Sequence, residues 1–323
     1  MIPQEAIHSI RDEQKHYTLS LEGISIPMTI LRDIPATLTG NYRTHISELA
    51  RHALNNAYSQ GYLLATVIPE RRLDYFFFDK LGFSTVIYVN VERYTSLHTF
   101  TYNGDYQVIP ATYDIVERLL SQYPCTATMS SNQFTHLVDS LQFKTDYSMY
   151  AVQEVASHKQ AIAMARNDND SIVINTMLSD GGSQSDEARA LISIIKQRLG
   201  EKPIEVWAHP SHDATKAQLR SRGMIRIIDC LSLLQIIANL HPNLEQTIHI
   251  SDNVLANNNG YYIIHNGDCR YCNSTTHHVS LDINVNILGK IIFGSPQIGS
   301  ILSFPSHRPT APFFLTSKIP TKS

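Results

Sequence analysis

Apolar and polar residues alternate along the chain in blocks whose spacing predicts a mixture of strands and helices. Near the N-terminus, two β-like runs, Tyr17–Leu21 and Ile26–Leu31, flank Glu22-Gly23, a dipeptide that suits a tight hairpin turn. The apolar residues of Ile46–Tyr58 recur at helical spacing, and Gly61 follows as a helix-ending residue. This succession of strands and helices predicts an α/β fold.

The same patterning continues through the rest of the sequence. Further strands are predicted at Tyr62–Ile68, Ser84–Val91, Tyr147–Val152, Gln160–Ala165, Ile172–Leu178 and Ile204–Ala208. Further helices are predicted at Tyr75–Leu81, Thr112–Leu120, Ser131–Leu141, Asp186–Leu199, Leu231–Leu240 and Asn286–Phe293. Near the C-terminus, the runs Thr247–Ile250, Gly260–Ile264 and His278–Ile283 are expected to be antiparallel strands, with Asn266–Thr276 as a hairpin loop.

The length of 323 residues and the changes in pattern divide the chain into three parts. We place an α/β domain at 1–100, a second α/β domain at 101–228 and an α+β domain at 229–323. Hydrophobic residues make up 43% of the chain, which is enough to build real cores. Glycine is scarce, with 14 residues or about 4%, against about 7% in an average protein.

Charge and composition exclude several functional classes. Lys and Arg number 26 and Asp and Glu 29, a net charge of −3, so neither a nucleic acid nor a membrane surface is an expected partner. No apolar run approaches the roughly 18 residues of a membrane-spanning helix, and the first residues do not resemble a signal peptide. Four cysteines in a chain of this length do not suggest a disulfide framework, so we expect a cytoplasmic protein.

Several segments resemble the GCN5-related N-acetyltransferases (GNATs). The resemblance in the first domain lies in Ala36–Leu38, Asn41–Arg43, Ile68-Pro69 and Phe77–Phe83. With Gly223–Asp229, Asn258–Gly260, Phe293–Pro296 and Phe304–Ser306, the order of segments is similar to that of the enhanced-intracellular-survival group. This resemblance implies two acetyltransferase-like mixed-sheet domains, the first shortened at its front and the second degenerate, followed by a domain similar to sterol carrier protein.

The resemblance also implies a binding site for acetyl-CoA. In the family, a splayed strand presents backbone groups to the pantetheine arm, and the following loop and helix N-terminus surround the pyrophosphate. Here the strand residues are Ala36, Thr37 and Leu38, and the loop and helix residues are Arg43, Thr44, His45 and Ile46. Thr44 stands where the family has its last glycine, and no glycine occurs from Asn41 to Gln60.

Acetyl transfer to an amine also needs an acid and a base. The family's acid is a tyrosine, but Phe78 occupies that position here. Tyr75, one turn earlier, is the candidate substitute, although core packing is the commoner role for a tyrosine among phenylalanines. In the survival group the terminal carboxylate is the base, which implicates Ser323. The substrate implied is a small-molecule or peptide amine. The alternative is a non-catalytic binding or scaffolding protein. Because the first domain is shortened at its N-terminal end, the resemblance implies an acceptor pocket that is either open or closed by a second copy of the chain in a homo-oligomer.

Three further motifs are weaker. Cys269-x-x-Cys272 lies near His265, His277 and His278, yet a structural zinc site normally uses two separated ligand pairs, so we predict no metal. Asp180–Asp186 is glycine-containing but lacks the lysine of a P-loop, and a turn leading to a helix capped by Ser185 explains it better. His209–Asp213 is interpreted as a polar connection rather than a hydrolase site, because no nucleophile elbow accompanies it.

Overall fold

The structure is a computed structural model that describes residues 16–31, 42–69, 71–142, 146–208 and 218–294. Two compact units can be distinguished among these residues. The first unit contains the residues up to Ile87 and those from Arg222 onward, and the second contains Tyr88–Ser221. The first unit therefore joins segments from both ends of the sequence. The division into 1–100, 101–228 and 229–323 stays a prediction.

The elements follow one another as an α/β succession. The strands are β1 His16–Leu21, β2 Ile24–Ile30, β3 Leu64–Val67, β4 Ser84–Tyr94, β5 Tyr106–Ile109, β6 Cys125–Thr128, β7 Tyr147–Glu154, β8 Gln160–Asn167, β9 Ile172–Ser179, β10 Ile204–Ala208, β11 Gln218–Ile227, β12 Gln246–Ser251, β13 Gly260–His265, β14 Asp268–Cys272 and β15 Leu281–Asn284. The helices are α1 Tyr42–Ser59, α2 Arg72–Lys80, α3 Tyr113–Leu120, α4 Ser131–Gln142, α5 Asp186–Leu199, α6 Cys230–Leu240 and α7 Val285–Phe293.

The first unit opens with the predicted hairpin. Strands β1 and β2 pair antiparallel, with Leu19 opposite Ile26. Glu22 and Gly23 connect them with φ angles of 48° and 85°. Positive φ at both central residues is the requirement of a type I′ turn, which matches the twist of the two strands. The sequence prediction of a hairpin at this dipeptide is confirmed.

A strand–helix–strand crossover follows the hairpin. Strand β2 pairs parallel with β3, with Met28 opposite Leu64 and Ile30 opposite Thr66, and α1 makes the connection. Strand β11 pairs antiparallel with the other edge of β3. Helix α1 begins at Tyr42, four residues before the predicted start near Ile46. The prediction began at the first apolar position, whereas the polar residues before it also adopt helical backbone.

One core cluster unites the elements of the first unit. Its members come from β2, α1, β3, α2, the turn after α2, β11 and the residues that follow β12: Leu31, Ala50, Ala53, Leu54, Ala65, Val67, Phe77, Phe78, Leu81, Phe83, Met224, Ile228 and Leu255. All four residues of β3 are buried, as expected for a strand covered on both faces. The C-terminal segment thus shares a hydrophobic core with the N-terminal segment.

A four-stranded sheet with the order β14-β13-β12-β15 completes the first unit. Strand β15 pairs parallel with β12, so the expectation of antiparallel pairing was wrong for this strand. The chain returns from β14, at one edge, to the opposite edge of the sheet before it forms β15. The predicted hairpin loop Asn266–Thr276 was also too long, because β14 lies within it and pairs with β13 across a turn of Asn266 (φ 50°) and Gly267 (φ 77°).

A buried ion pair links β11 to the segment after β12 within this unit. Both side chains are almost fully buried, and the Nη2 of Arg226 lies 2.6 Å from each carboxylate oxygen of Asp252. Arg226 also donates to the carbonyl of Gly82 (3.3 Å), where a Cβ would lie 1.9 Å from its Nη1. Asp252 accepts a further bond from the amide of Asn258 (2.9 Å). Gly82, with φ at +82°, is therefore required both by the turn and by the arginine.

The second unit is built around a mixed sheet with the order β5-β7-β8-β9-β10-β4. Strands β9 and β10 are parallel and are connected by α5, whose predicted bounds, Asp186–Leu199, are confirmed. The core lies between this sheet and α5: Tyr150, Val152, Ala161, Ala163, Ala165, Ile172, Ile174, Met177, Ala188, Leu191, Ile192, Ile195, Ile204 and Val206. Among the described helices, none combines the length and apolarity needed to cross a membrane.

Candidate functional site

Each unit contains a parallel strand–helix–strand crossover, which is the part of an α/β sheet where ligands usually bind. The crossover of the first unit is β2–α1–β3, and that of the second is β9–α5–β10. In the second unit the helix begins shortly after its preceding strand, β9, which ends at Ser179. Backbone N–H groups and the helix dipole make such an N-terminus attractive to phosphate, provided that no side chain of the protein already satisfies those groups.

The N-terminus of α1 carries no acidic residue. Arg43, Thr44, His45 and Ile46, predicted as loop and helix-start residues, all lie in the first turns of α1. The first turn contains no Asp or Glu, and Arg43 adds a positive charge to the dipole. Ala36–Leu38 lie outside the described residues. The described backbone therefore provides a helix N-terminus whose sequence favours an anion.

The two strands that α1 connects pair with each other in parallel. Strands β2 and β3 pair through Ile30 and Thr66, and the Leu31 N–H donates to the carbonyl of Thr66 (2.9 Å). The neighbouring helix α2 has its own cap, because the Asp74 carboxylate accepts the N–H of Arg71 (2.9 Å). Since Asp74 is negative and buried at the start of α2, α1 offers the more favourable anion position of the two.

Phe78, which the sequence resemblance predicts at the position of the family's acid, is a core residue. Phe78 is 4% exposed and contacts Phe77 and Phe83 edge to face, at ring-centroid distances of 5.1 and 5.4 Å. Its ring has no proton to donate and packs in the core cluster of the first unit. Tyr75 lies one turn earlier on α2, is half-buried and packs against the same cluster. Of the two catalytic candidates, only Tyr75 lies within the described residues, since Ser323 lies outside them.

The corresponding helix end in the second unit makes hydrogen bonds to side chains of the protein itself. Residues Asp180–Ser185, here called the α5 loop, precede α5, and Ser185 caps the helix by accepting the N–H of Ala188 (3.3 Å), as predicted. Within the loop, Gly181 N–H donates to the Glu187 carboxylate (2.5 Å) and Gly182 N–H to the carbonyl of Ser179 (3.3 Å). Glu187 is 2% exposed. Sequence analysis recognised the Ser185 cap but not the role of Glu187.

Negative charge accumulates around the α5 loop. Burial alone would raise the pKa of Asp180, but hydrogen bonds from Arg118, the N–H of Gln160 and Gln122 hold it below its usual value. The pKa of Tyr106 is raised to about 12, first by burial and then by the charges of Glu154, Glu187 and Asp186. A phenol whose ionisation is opposed by three carboxylates indicates a locally negative potential.

Strand β9 nevertheless keeps an irregular carboxyl half. Its register with β10 covers Ile172–Ile174, although β9 continues to Ser179. The ladder with β8 shifts between Met164 and Ala165, which leaves Asn175 as the extra residue of a β-bulge. The pairing of β9 with β10 therefore ends before the carboxyl half of β9, which leads into the α5 loop.

The Cys269-x-x-Cys272 pair does not form a ligand pair. Both residues lie on β14, and residues three apart on a strand point to opposite faces. Cys269 is buried, and burial raises the pKa of its thiol to about 12, whereas a zinc ligand must be a thiolate. Among the described residues, no group of three or more His, Cys, Asp or Glu side chains is arranged to hold a metal ion.

Comparison with solved structures identifies the fold. A probable N-acyltransferase from Enterococcus faecalis V583 superimposes with a TM-score of 0.66 at 11% identity, covering 93% of this chain and 85% of that one. A GCN5-related N-acetyltransferase from Anabaena variabilis gives 0.61 at 14% identity, covering 88% and 78%. Eis1 from Mycobacterium abscessus gives 0.59 at 14% identity, covering 86% and 75%. No protein family and no curated protein sequence matches the chain.

These similarities show that the chain has the mixed α/β fold of the GNAT acetyltransferases. Identities of 11–14% establish the fold alone. Whether the chemistry accompanies the fold depends on the residues at the two helix ends and on α2.

Proposed function

We propose that this protein is an acetyl-CoA-dependent N-acetyltransferase whose coenzyme binds at the β2–α1–β3 crossover of the first unit. The observation that carries the proposal is the N-terminus of α1: it follows a strand paired in parallel with β3 and contains no acid in its first turn. An acceptor with a primary amine, either a small molecule or a peptide, fits the fold. The acetyl thioester of the bound coenzyme supplies the activated acyl group.

The residues of the chain have separate tasks in this proposal. The N–H groups at the start of α1 and the guanidinium of Arg43 bind the pyrophosphate, since both are positive and the helix start contains no competing carboxylate. The chain at Ala36–Leu38 aligns the pantetheine arm. Tyr75 holds the proton that the departing thiolate needs, because Phe78 has none to give.

A second candidate function is coenzyme binding without transfer. It is favoured by Phe78, whose ring is locked between Phe77 and Phe83 in the core at the position of the family's acid. A protein of this kind would bind acetyl-CoA at the same crossover and act as a binding or scaffolding module. The two candidates agree on the binding site and differ only in whether the acetyl group is transferred.

Calorimetric titration with acetyl-CoA tests the site that both candidates share. We expect saturable binding to the wild-type chain and at least tenfold weaker binding to Arg43→Glu, because the charge reversal places a carboxylate beside the pyrophosphate. Arg270→Glu is the matched control: it makes the same charge change in the first unit at a side chain that is 82% exposed on β14. No binding at millimolar acetyl-CoA, or equal weakening by both substitutions, would refute the proposed site.

A further inference from the structure

We infer that the acceptor of this protein carries carboxylates close to its amine, as an acidic peptide does, because cations and exposed apolar side chains surround Tyr75 on α2. The inference rests on the proposed function, since it takes Tyr75 as the acid of the transfer step. It distinguishes between acceptors that the fold alone leaves open. The residues concerned, here called the α2 face, are exposed on α2 and its N-cap: Arg71, Arg72, Leu73, Phe76 and Lys80.

Two arginines lie one helical turn before the proposed acid. Arg71 and Arg72 precede Tyr75 by four and three positions, and residues at these spacings are neighbours with about 5–6 Å between their Cβ atoms. Tyr75 is half-buried, whereas both arginines are exposed. The acceptor amine must come within about 3–3.5 Å of the thioester whose thiolate the acid protonates. An acceptor at Tyr75 is therefore close to both guanidinium groups.

The described carboxylates of α2 do not face this approach freely. Asp74 is buried at the start of the helix, where it accepts the N–H of Arg71 (2.9 Å). Asp79 accepts a hydrogen bond from the Nδ2 of Asn286 (3.3 Å), and its Oδ1 lies 3.8 Å from the Nζ of Lys290. The first carboxylate is thus hidden from an acceptor, and the second has a cation beside it.

The cations of the α2 face are available to a ligand. Arg71, Arg72 and Lys80 are exposed, and none of them forms an ion pair within the part of the chain that the structure describes. A surface of this charge attracts carboxylates and repels a polyamine. The acceptor class that matches the α2 face therefore carries negative charge next to its amine.

The apolar side chains of the α2 face indicate the size of the acceptor. Leu73 and Phe76 are 72% and 56% exposed, more than any other large apolar side chain described in the first unit. The helix has nine residues and is only about 13 Å long. Two side chains on so short a helix offer far less than the roughly 800 Å² that each partner buries in a stable protein interface. The surface fits a short peptide better than a folded partner.

Two blocked pentapeptides of opposite charge test the inference by calorimetry. Each has a central lysine between two leucines, with glutamate at both ends in one peptide and arginine at both ends in the other. Saturating CoA is present, because it has no acetyl group to transfer. We expect the wild-type chain to bind the acidic peptide at least about tenfold more tightly than the basic one.

Variants locate the preference on the α2 face. Arg72→Glu should weaken binding of the acidic peptide about tenfold, and an acid is tolerated at this helix start. Arg270→Glu, the same charge change at an exposed position of β14, should leave the preference intact. Phe76→Ser should weaken both peptides by the same factor, because it removes apolar contact and no charge. Far-UV circular dichroism checks folding, and the fluorescence of Trp207, the only tryptophan and a residue of β10 in the second unit, should not respond to either peptide.

Equal affinity for the two peptides, no binding of either, or equal weakening by the two arginine substitutions would overturn the inference. Binding of the wild-type chain to phosphatidylglycerol vesicles, with no preference between the peptides, would overturn it in favour of a membrane surface. Failure of the proposed function would appear separately, as absent acetyl-CoA binding. A peptide preference that persists in that case would show that the α2 face recognises acidic peptides without transfer.

Discussion

Helices α1 and α5 occupy equivalent places in two parallel crossovers, yet their N-terminal turns have opposite electrostatic character. The turn of α1 contains Arg43 and no acid, whereas that of α5 contains Asp186 and Glu187. In α5 the Ser185 hydroxyl accepts the N–H of Ala188, and the Glu187 carboxylate accepts the N–H of Gly181. Two helices in equivalent places of the fold therefore differ in the charges that an anion would meet at their N-termini.

In the second unit, the geometry of strand β9 and the side chains of the α5 loop are separate features. Strand β9 has a bulge at Asn175 and a short register with β10, so its carboxyl half is irregular. The α5 loop that follows donates the Gly181 N–H to the buried carboxylate of Glu187. A fold comparison detects the strands but not this side chain.

The largest expected effect concerns catalysis in the first unit. Tyr75→Phe removes the only hydroxyl that we assign to the acid step and should lower the rate of acetyl transfer by about 10²–10⁴-fold, with acetyl-CoA affinity unchanged. Release of free thiol, with a lysine-containing peptide and spermidine as acceptors, measures the rate. Tyr58→Phe is the control, because Tyr58 packs half-buried against the same core from α1.

Two outcomes of that experiment would change the account. Equal rates in the wild-type chain and Tyr75→Phe would exclude Tyr75 as the acid. No transfer by the wild-type chain, together with clear acetyl-CoA binding, would establish the non-catalytic candidate instead.

The two units also differ in how they use ion pairs. Arg226→Met leaves Asp252 buried without its partner and should destabilise the first unit by about 3–5 kcal/mol. Arg118→Met breaks the more exposed pair with Asp180 in the second unit and should cost about 1 kcal/mol or less. Urea unfolding followed by far-UV circular dichroism and by Trp207 fluorescence separates the two effects.

For Arg226→Met we expect the urea midpoint detected by circular dichroism to fall, while the midpoint detected by Trp207 fluorescence stays unchanged. An equal loss in the free energy of unfolding for the two arginine substitutions would show that burial does not determine how much each ion pair stabilises the protein. A shift of the Trp207 transition as large as that of the dichroism signal would show that the units unfold together.

The smallest expected effect is a pH dependence of the second unit. The pKa of Asp180 is lower in the folded chain than its usual value, because Arg118, Gln122 and the N–H of Gln160 bind its carboxylate. Its contribution to stability is therefore present above the unfolded pKa of about 3.9 and is lost as the pH falls through the folded value. The pKa of Glu205 is lowered too, by hydrogen bonds from Trp207 and Arg93 against the opposing effect of burial.

The measurement is the Trp207-detected urea midpoint at pH 6 and at pH 3. The midpoint should fall between pH 6 and pH 3 in the wild-type chain and fall less in Asp180→Asn. Glu205 should account for part of the fall that persists in Asp180→Asn. An identical fall in both proteins would show that Asp180 does not contribute.

Local signals in the sequence predicted local structure well. The dipeptide Glu22-Gly23 predicted its hairpin, and Ser185 with the following acids predicted the start of α5, because turn and cap chemistry act over three or four residues. The start of α1 was placed too late, since its first residues are polar. Strand β14 was missed because Asn266-Gly267 was interpreted as the start of a loop, although this dipeptide also favours a two-residue turn.

Contacts between residues that are distant in the sequence could not be predicted. Arg226 and Asp252 are 26 positions apart, and nothing in a single sequence indicates that they form a pair. The bond from Gly181 to Glu187 depends on how the α5 loop folds back, which spacing alone does not determine. The glycine content of the loops did not indicate this difference: the glycine-free start of α1 has no acid in its first turn, whereas the glycine-containing α5 loop donates to the Glu187 carboxylate.

The location of bound acetyl-CoA tests the central claim most directly. Amide hydrogen exchange should be compared with and without saturating acetyl-CoA, peptide by peptide. The account predicts slower exchange in residues 42–50, at the start of α1, and unchanged exchange in residues 180–190, at the start of α5. Slower exchange in residues 180–190 with none in residues 42–50 would contradict it.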